Sequence, residues 1–112
     1  MSRQKYFQGT GLLGIFLASL VMGDAAHANP EDGVVAAGSA TISEAGKKLD
    51  IHQSTDKVVI DWRAFNIAPD EHTQFYQPNS GSIALNRISS GDASQIMGKL
   101  SANGNVIIVN PS

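Results

Sequence analysis

Val58-Val59-Ile60-Asp61-Trp62-Arg63-Ala64-Phe65-Asn66-Ile67 is the stretch on which the fold turns. It opens with a β-prone run, Val58-Val59-Ile60, in which Ile60 and Trp62 then alternate with Asp61 and Arg63. That alternation is the period of a half-exposed strand. Phe65 and Ile67 continue it with a change of register. Similar short runs stand on either side: Val34-Val35-Ala36 before it, Ile83-Ala84-Leu85 and Val106-Ile107-Ile108-Val109 after it. Their starts at 34, 58, 83 and 106 are separated by 24, 25 and 23 residues. A near-constant interval of that size is what a stacked coil of strands produces, each turn adding one rung to a continuous core. A β-sandwich would place turns every 8–12 residues or so.

Turn-forming clusters lie between the runs: Asn79-Ser80-Gly81-Ser82, Ser89-Ser90-Gly91-Asp92 and Ala102-Asn103-Gly104-Asn105. Asn103-Gly104 is the strongest turn signal and predicts a tight corner with positive φ. Helix signals are poor. Asp92-Ala93-Ser94-Gln95-Ile96-Met97-Gly98-Lys99-Leu100 has an Asp cap and apolar residues at 93, 96, 97 and 100, but Gly98 weakens it to a single helical turn or an irregular corner. Trp62, Phe65, Phe75 and Tyr76 read as core.

The amino-terminal residues carry a different message. Arg3 and Lys5 precede an uncharged run from Gly11 to Gly23, and Ala26-His27-Ala28 follows as a small-x-small exit before Asn29-Pro30. Basic start, short apolar centre and small-residue exit form a secretory signal peptide over residues 1–28, with cleavage between Ala28 and Asn29. The apolar run is shorter than the roughly 20 residues that span a bilayer.

Residues 29–112 then form at most one small domain. Arg3, Lys5 and Asp24 leave with the leader, so 6 of the 8 basic and 9 of the 10 acidic residues stay. No basic patch points to nucleic acid. The chain has no cysteine, so the disulfides that often brace small exported domains are not available. The last apolar run stops just before Asn110-Pro111-Ser112, and the sequence reads as a piece that continues in the intact protein.

The chemistry-bearing residues do not assemble into a site. His52 and His72 are isolated, without the spacing or partner ligands of a metal centre. Asp70-Glu71-His72 follows Pro69 in a polar stretch and reads as a solvated turn. No nucleophile elbow, phosphate loop or dinucleotide fingerprint occurs. The expectation is a protein without catalytic residues, metal or cofactor.

The order of the segments is specific. Trp62-Arg63-Ala64-Phe65-Asn66-Ile67 resembles the Trp-x-x-Phe-Asn-Ile segment of the two-partner secretion domain that opens filamentous haemagglutinins and related large exoproteins. Phe75-Tyr76-Gln77-Pro78 and Leu85-Asn86-Arg87-Ile88 resemble its Phe-x-Gln-Pro and Leu-Asn-Arg-Val segments. Ser94-Gln95-Ile96-Met97-Gly98 and Ala102-Asn103-Gly104-Asn105-Val106 follow in the family's order. Residues 33–42 resemble the usual start of the mature domain. Two features depart from the pattern: the Asn-Pro-Asn-Leu motif is absent, and Asn-Pro-Asn-Gly is present only as Asn110-Pro111-Ser112.

The resemblance implies an all-β fold, a right-handed parallel β-helix with an N-terminal cap. It implies a secretion-targeting and folding-nucleating domain of a large bacterial adhesin or haemagglutinin. Its partners would be the general secretory (Sec) machinery, a cognate outer-membrane β-barrel transporter, and a host or bacterial cell surface contacted by the rest of the protein. The product would be secreted through the periplasm to the exterior or the cell surface. Asn86, Arg87, Asn103, Gly104, Asn110 and Pro111 are the residues on which the family motifs place transporter recognition or structural duty. A pore-forming haemolysin or contact-dependent inhibition toxin would open with the same domain. A carbohydrate-acting β-helix enzyme would instead need carboxylates clustered on one face.

Overall fold

The computed structural model describes residues 29–111. Residues 1–28, including the leader and Ala28 of its expected cleavage site, lie outside the described residues. Within 29–111 every regular element is a strand.

Eight strands build two four-stranded sheets. In chain order they are β1 (Val34–Ala37), β2 (Ala40–Ala45), β3 (Lys48–Gln53), β4 (Lys57–Trp62), β5 (His72–Tyr76), β6 (Ile83–Ile88), β7 (Lys99–Ala102) and β8 (Asn105–Val109). One sheet runs β1-β4-β6-β8 and the other β2-β3-β5-β7. The chain visits both sheets in turn, so β3–β4, β5–β6 and β7–β8 are three successive coils. Along each sheet the coils pair in parallel: Ile51 with Phe75 and Phe75 with Ala102, Ile60 with Asn86 and Asn86 with Ile108. A third side has no regular strand among the described residues and is marked by the parallel bridge between Ile67 and Ile96. This is a parallel β-helix.

The amino-terminal strands cap it. β1 lies antiparallel on β4, with Val35 opposite Ile60, and β2 lies antiparallel on β3, with Ile42 opposite Ile51. The cap covers both edges of the first coil, which would otherwise present unpaired backbone. β2 and β3 are joined by a two-residue turn whose first residue, Gly46, has φ of 60°. That is the left-handed conformation a tight hairpin of this kind needs at its first position.

This arrangement corrects the expected periodicity. Runs starting at 58, 83 and 106 are rungs of one sheet, but the run at 34 is an antiparallel cap strand, and its equal spacing is coincidental. The second sheet is hard to see in the sequence because β3 and β5 carry polar residues at inward positions as well as outward ones, and β7 is only four residues long. Thr73 and Gln53, for instance, are buried. Residues 92–98 form no helical turn, only an irregular corner pinned by hydrogen bonds from the amides of Met97 and Gly98 to Ile67 O.

Inward side chains stack in columns between the sheets. Leu49, Ile51, Val58, Ile60, Trp62, Phe65, Ile67, Phe75, Ala84 and Ile88 form one buried cluster. Each large apolar side chain among them contributes roughly 1.5–3 kcal/mol by leaving water. Trp62 and Phe65 meet edge to face with centroids 5.6 Å apart. Tyr76, expected in the core, is on the outer face instead, where its ring stacks on His52 at 4.4 Å. The alternation of β5 decides this: Phe75 faces in, so its neighbour must face out.

Candidate functional site

Asn86 occupies an inward position of β6 and is fully buried. An amide there must find partners within the core. Its Oδ1 accepts from the indole Nε1–H of Trp62 at 2.8 Å, and its Nδ2 donates to Ile107 O at 3.2 Å and to Ala84 O at 3.3 Å. It thus ties β4, β6 and β8 together from inside. Arg87, one residue on, points outward and grips Asp61 with two bonds of 2.6 and 2.9 Å. The guanidinium holds the Asp61 carboxyl below the usual carboxylate range.

Asn103 and Gly104 form the corner between β7 and β8. Asn103 Oδ1 accepts from the Gln77 amide at 2.7 Å, and its Nδ2 donates to Gln77 O at 2.8 Å. The expected positive φ is not present at either residue; among the described residues it occurs at Asp32, Gly38 and Gly46. Glycine is needed at 104 for space. A Cβ there would stand 2.9 Å from each of Asn79 O, Ser82 O and Gln77 Oε1.

Asn110 leaves β8 and reaches back to the coil before its own, to the segment that follows β6. Its Nδ2 donates to Ser94 Oγ at 2.8 Å and Asp92 O at 3.1 Å, anchoring the irregular corner. Pro111 after it is exposed. Asn29, the residue that follows the expected cleavage point, is buried; its Nδ2 donates to Lys47 O and its Oδ1 accepts from Thr73 Oγ1.

The motif residues therefore do not converge on one pocket. Asn86 is in the core, Arg87 on an outer sheet face, Asn103 and Gly104 at one corner and Asn110 at another. Each joins neighbouring segments of the coil. No group of three or more His, Asp or Glu side chains that could hold a metal ion occurs among the described residues. An open groove of about 580 Å³ runs beside the third side, lined by Asn66, Ile67, Pro69, Asp92, Gln95 and Met97 among others. Its lining holds a single carboxylate, so no acid–base pair faces it.

Three further polar residues, outside the expected site set, prove central. Gln53 and Gln77 are buried at the same corner, one coil apart, and Gln77 Nε2 donates to Gln53 Oε1 at 3.1 Å. Both continue their strand's alternation two residues past an inward apolar residue, Ile51 or Phe75, a signal that a column-by-column reading of the coils would have caught. Glu71 is the third. It was expected in a solvated turn, but it is buried, and its carboxylate accepts from the Ala68 amide at 2.9 Å.

A family model for the TPS secretion domain matches residues 26–112. The chain belongs to this family. The TPS secretion domain described here is 43% identical over 83 residues to a heme/hemopexin-binding protein of Haemophilus influenzae strain Rd, covering 74% of this chain and 9% of that protein. A second heme/hemopexin-binding protein of Haemophilus influenzae is 45% identical over 76 residues, covering 67% and 8%. The chain thus spans less than a tenth of the length of these relatives. Among solved structures it is similar to the HMW1 secretion domain of Haemophilus influenzae, with a TM-score of 0.69 and 38% identity over 74% of this chain and 22% of that one.

Proposed function

We propose that residues 29–112 direct a large exoprotein to a cognate outer-membrane β-barrel transporter and nucleate its folding outside the cell. The match to the TPS secretion domain along this whole stretch carries the reading. The fold suits the task. An antiparallel cap closes one end, and each further coil adds parallel strands to the edges left by the one before. A solenoid of this kind extends by nearest-neighbour contacts, so it can grow as chain emerges. Its role is address and template, and no catalysis is assigned to it. The leader at residues 1–28 would bring the chain to the Sec machinery first.

The relatives' names bear on the cargo. Their identity over this domain favours an exoprotein that captures heme or a heme-carrying protein over a pore-forming or contact-dependent toxin. An adhesin or haemagglutinin at the cell surface is the reading that the family as a whole supports. Retention of the intact protein on immobilised hemin separates the two.

The secretion role is tested in the intact protein, co-expressed with its transporter. Deleting residues 31–112 behind an unaltered leader should move the protein from the medium to the cell fraction. Undiminished secretion of the deleted form would overturn the reading.

A further inference from the structure

A parallel coil can slip by two residues without turning a single side chain inside out, because the pleat repeats every second residue. If β7 moved so that Leu100, and not Ala102, faced Phe75, the core would stay apolar. Hydrophobic burial alone therefore selects register weakly in this domain. Something else has to choose.

The corner column makes that choice. Gln53 and Gln77 lie two residues beyond the paired Ile51 and Phe75, and Gly104 lies two beyond Ala102, their partner on the third coil. The Gln77 side chain is aimed at that coil. Its Oε1 accepts from the Gly104 amide at 2.7 Å and its Nε2 donates to Asn105 O at 3.0 Å. Gln53 reaches the second coil less exclusively: its Nε2 donates to Thr55 O at 2.7 Å and Asp56 O at 3.0 Å of its own coil as well as to Ile83 O at 3.2 Å, while its Oε1 receives Gln77 Nε2. In the slipped register Ala102 would take the place of Gly104. Its Cβ would enter a space where 2.9 Å separates it from the Gln77 oxygen and from two backbone carbonyls. A buried amide would lose its partners at the same time.

We propose that Gln77 sets the register of the third coil and Gln53 that of the second, each acting as a template for the coil that follows. The inference rests on the coil geometry alone, independent of what the exoprotein carries. Outward pairs are less discriminating, since Lys48, His72 and Lys99 or Asp50, Gln74 and Ser101 tolerate exchange on a solvated face.

The absence of native cysteine gives a direct readout. In the full chain, Gln74→Cys with Ser101→Cys reports the observed register, and Gln74→Cys with Lys99→Cys reports the slip by two. With Gln77 intact, oxidation should favour the 74–101 disulfide about tenfold or more, the scale of one buried hydrogen-bonded group left unpaired. Gln77→Met keeps the side-chain length and removes the amide, and it should clearly reduce the 74–101 preference, leaving only the part that the Asn79 and Ser82 carbonyls impose. A folded Gln77→Met chain that keeps the 74–101 preference undiminished overturns the proposal. Should Gln77→Met fail to fold, Gln53→Met decides, read by cysteines at 59 and 85 against 59 and 83. Loss of the 59–85 preference supports the template role and its retention refutes it.

Discussion

The indole nitrogen of Trp62 donates its hydrogen to Oδ1 of Asn86, 2.8 Å away, with both side chains enclosed between the sheets. The bond crosses from the first coil to the second, and Asn86 Nδ2 carries it on to the third through Ile107 O. Replacing Asn86 by Leu leaves the indole N–H without a partner in an apolar core. The expected loss is about 1–3 kcal/mol, read from urea unfolding midpoints. Adding Trp62→Phe removes the stranded donor, so the double variant should lose less than the two single losses added together. Simple additivity would show that the bond itself is not the cause. In the intact protein Asn86→Leu should also lower secretion.

Gly98 separates a steric requirement from a merely small residue. A Cβ there would stand 2.1 Å from Ala68 O and 2.5 Å from Glu71 O, both backbone atoms that cannot swing aside. Gly98→Ala should therefore destabilise by about 1–3 kcal/mol as the corner is forced open. Gly91→Ala is the control, with nothing within 4 Å of its Cβ. It should change stability by less than about 0.5 kcal/mol. Equal thermal shifts for the two variants would contradict the geometry.

Arg87 tests whether a motif residue serves recognition or structure. Its pair with Asp61 is on a solvated outer face, where screening leaves such bonds little effect on stability. Arg87→Ala should keep the unfolding midpoint of the wild type. If the transporter reads this face, secretion of the intact protein falls while stability does not. A parallel fall in both would make Arg87 a scaffold residue like Asn86.

How much of this was legible depended on where polar side chains point. β4 announces itself because Ile60 and Trp62 are apolar and Asp61 and Arg63 are not, and its burial follows that pattern. β5 hides the same alternation: Thr73 and Phe75 face in, but His72, Gln74 and Tyr76 between them are no less strand-like. Gln53 carried no signal, and Gln77 entered only as part of a family segment, because a buried amide is recognisable only once its partners are known. Apart from the local bonds of Gln53 to Thr55 O and Asp56 O, they come from residues 24 to 30 positions away, such as Ile83 and Gly104. Gly104 was rightly singled out as a glycine corner, for a reason of space that no local pattern encodes. Val34 shows the opposite error, a regular interval that the antiparallel cap turns into an accident.

His72 gives the fold a weak pH dependence with a defined sign. It shares an outward row with Lys48 and Lys99 in register on either side, Asp50 is the nearby carboxylate, and its Nε2 lies 3.0 Å from Ser101 Oγ. Partial burial first, then the two lysine charges, push the imidazole below its ordinary value of 6.5, and Asp50 opposes them only in part. The folded chain therefore binds a proton at this site less readily than the unfolded chain. Stability from His72 is complete above pH 6.5 and declines as the pH falls from there to the lower folded value, levelling off beneath it. Urea midpoints of wild type and His72→Gln, measured from pH 7.5 to pH 4.5, should diverge in that window. The wild type should lose stability relative to the variant on acidification. A difference that is flat across the range would mean that Asp50 balances burial and the two lysines, and one that favours the wild type at acid pH that it outweighs them.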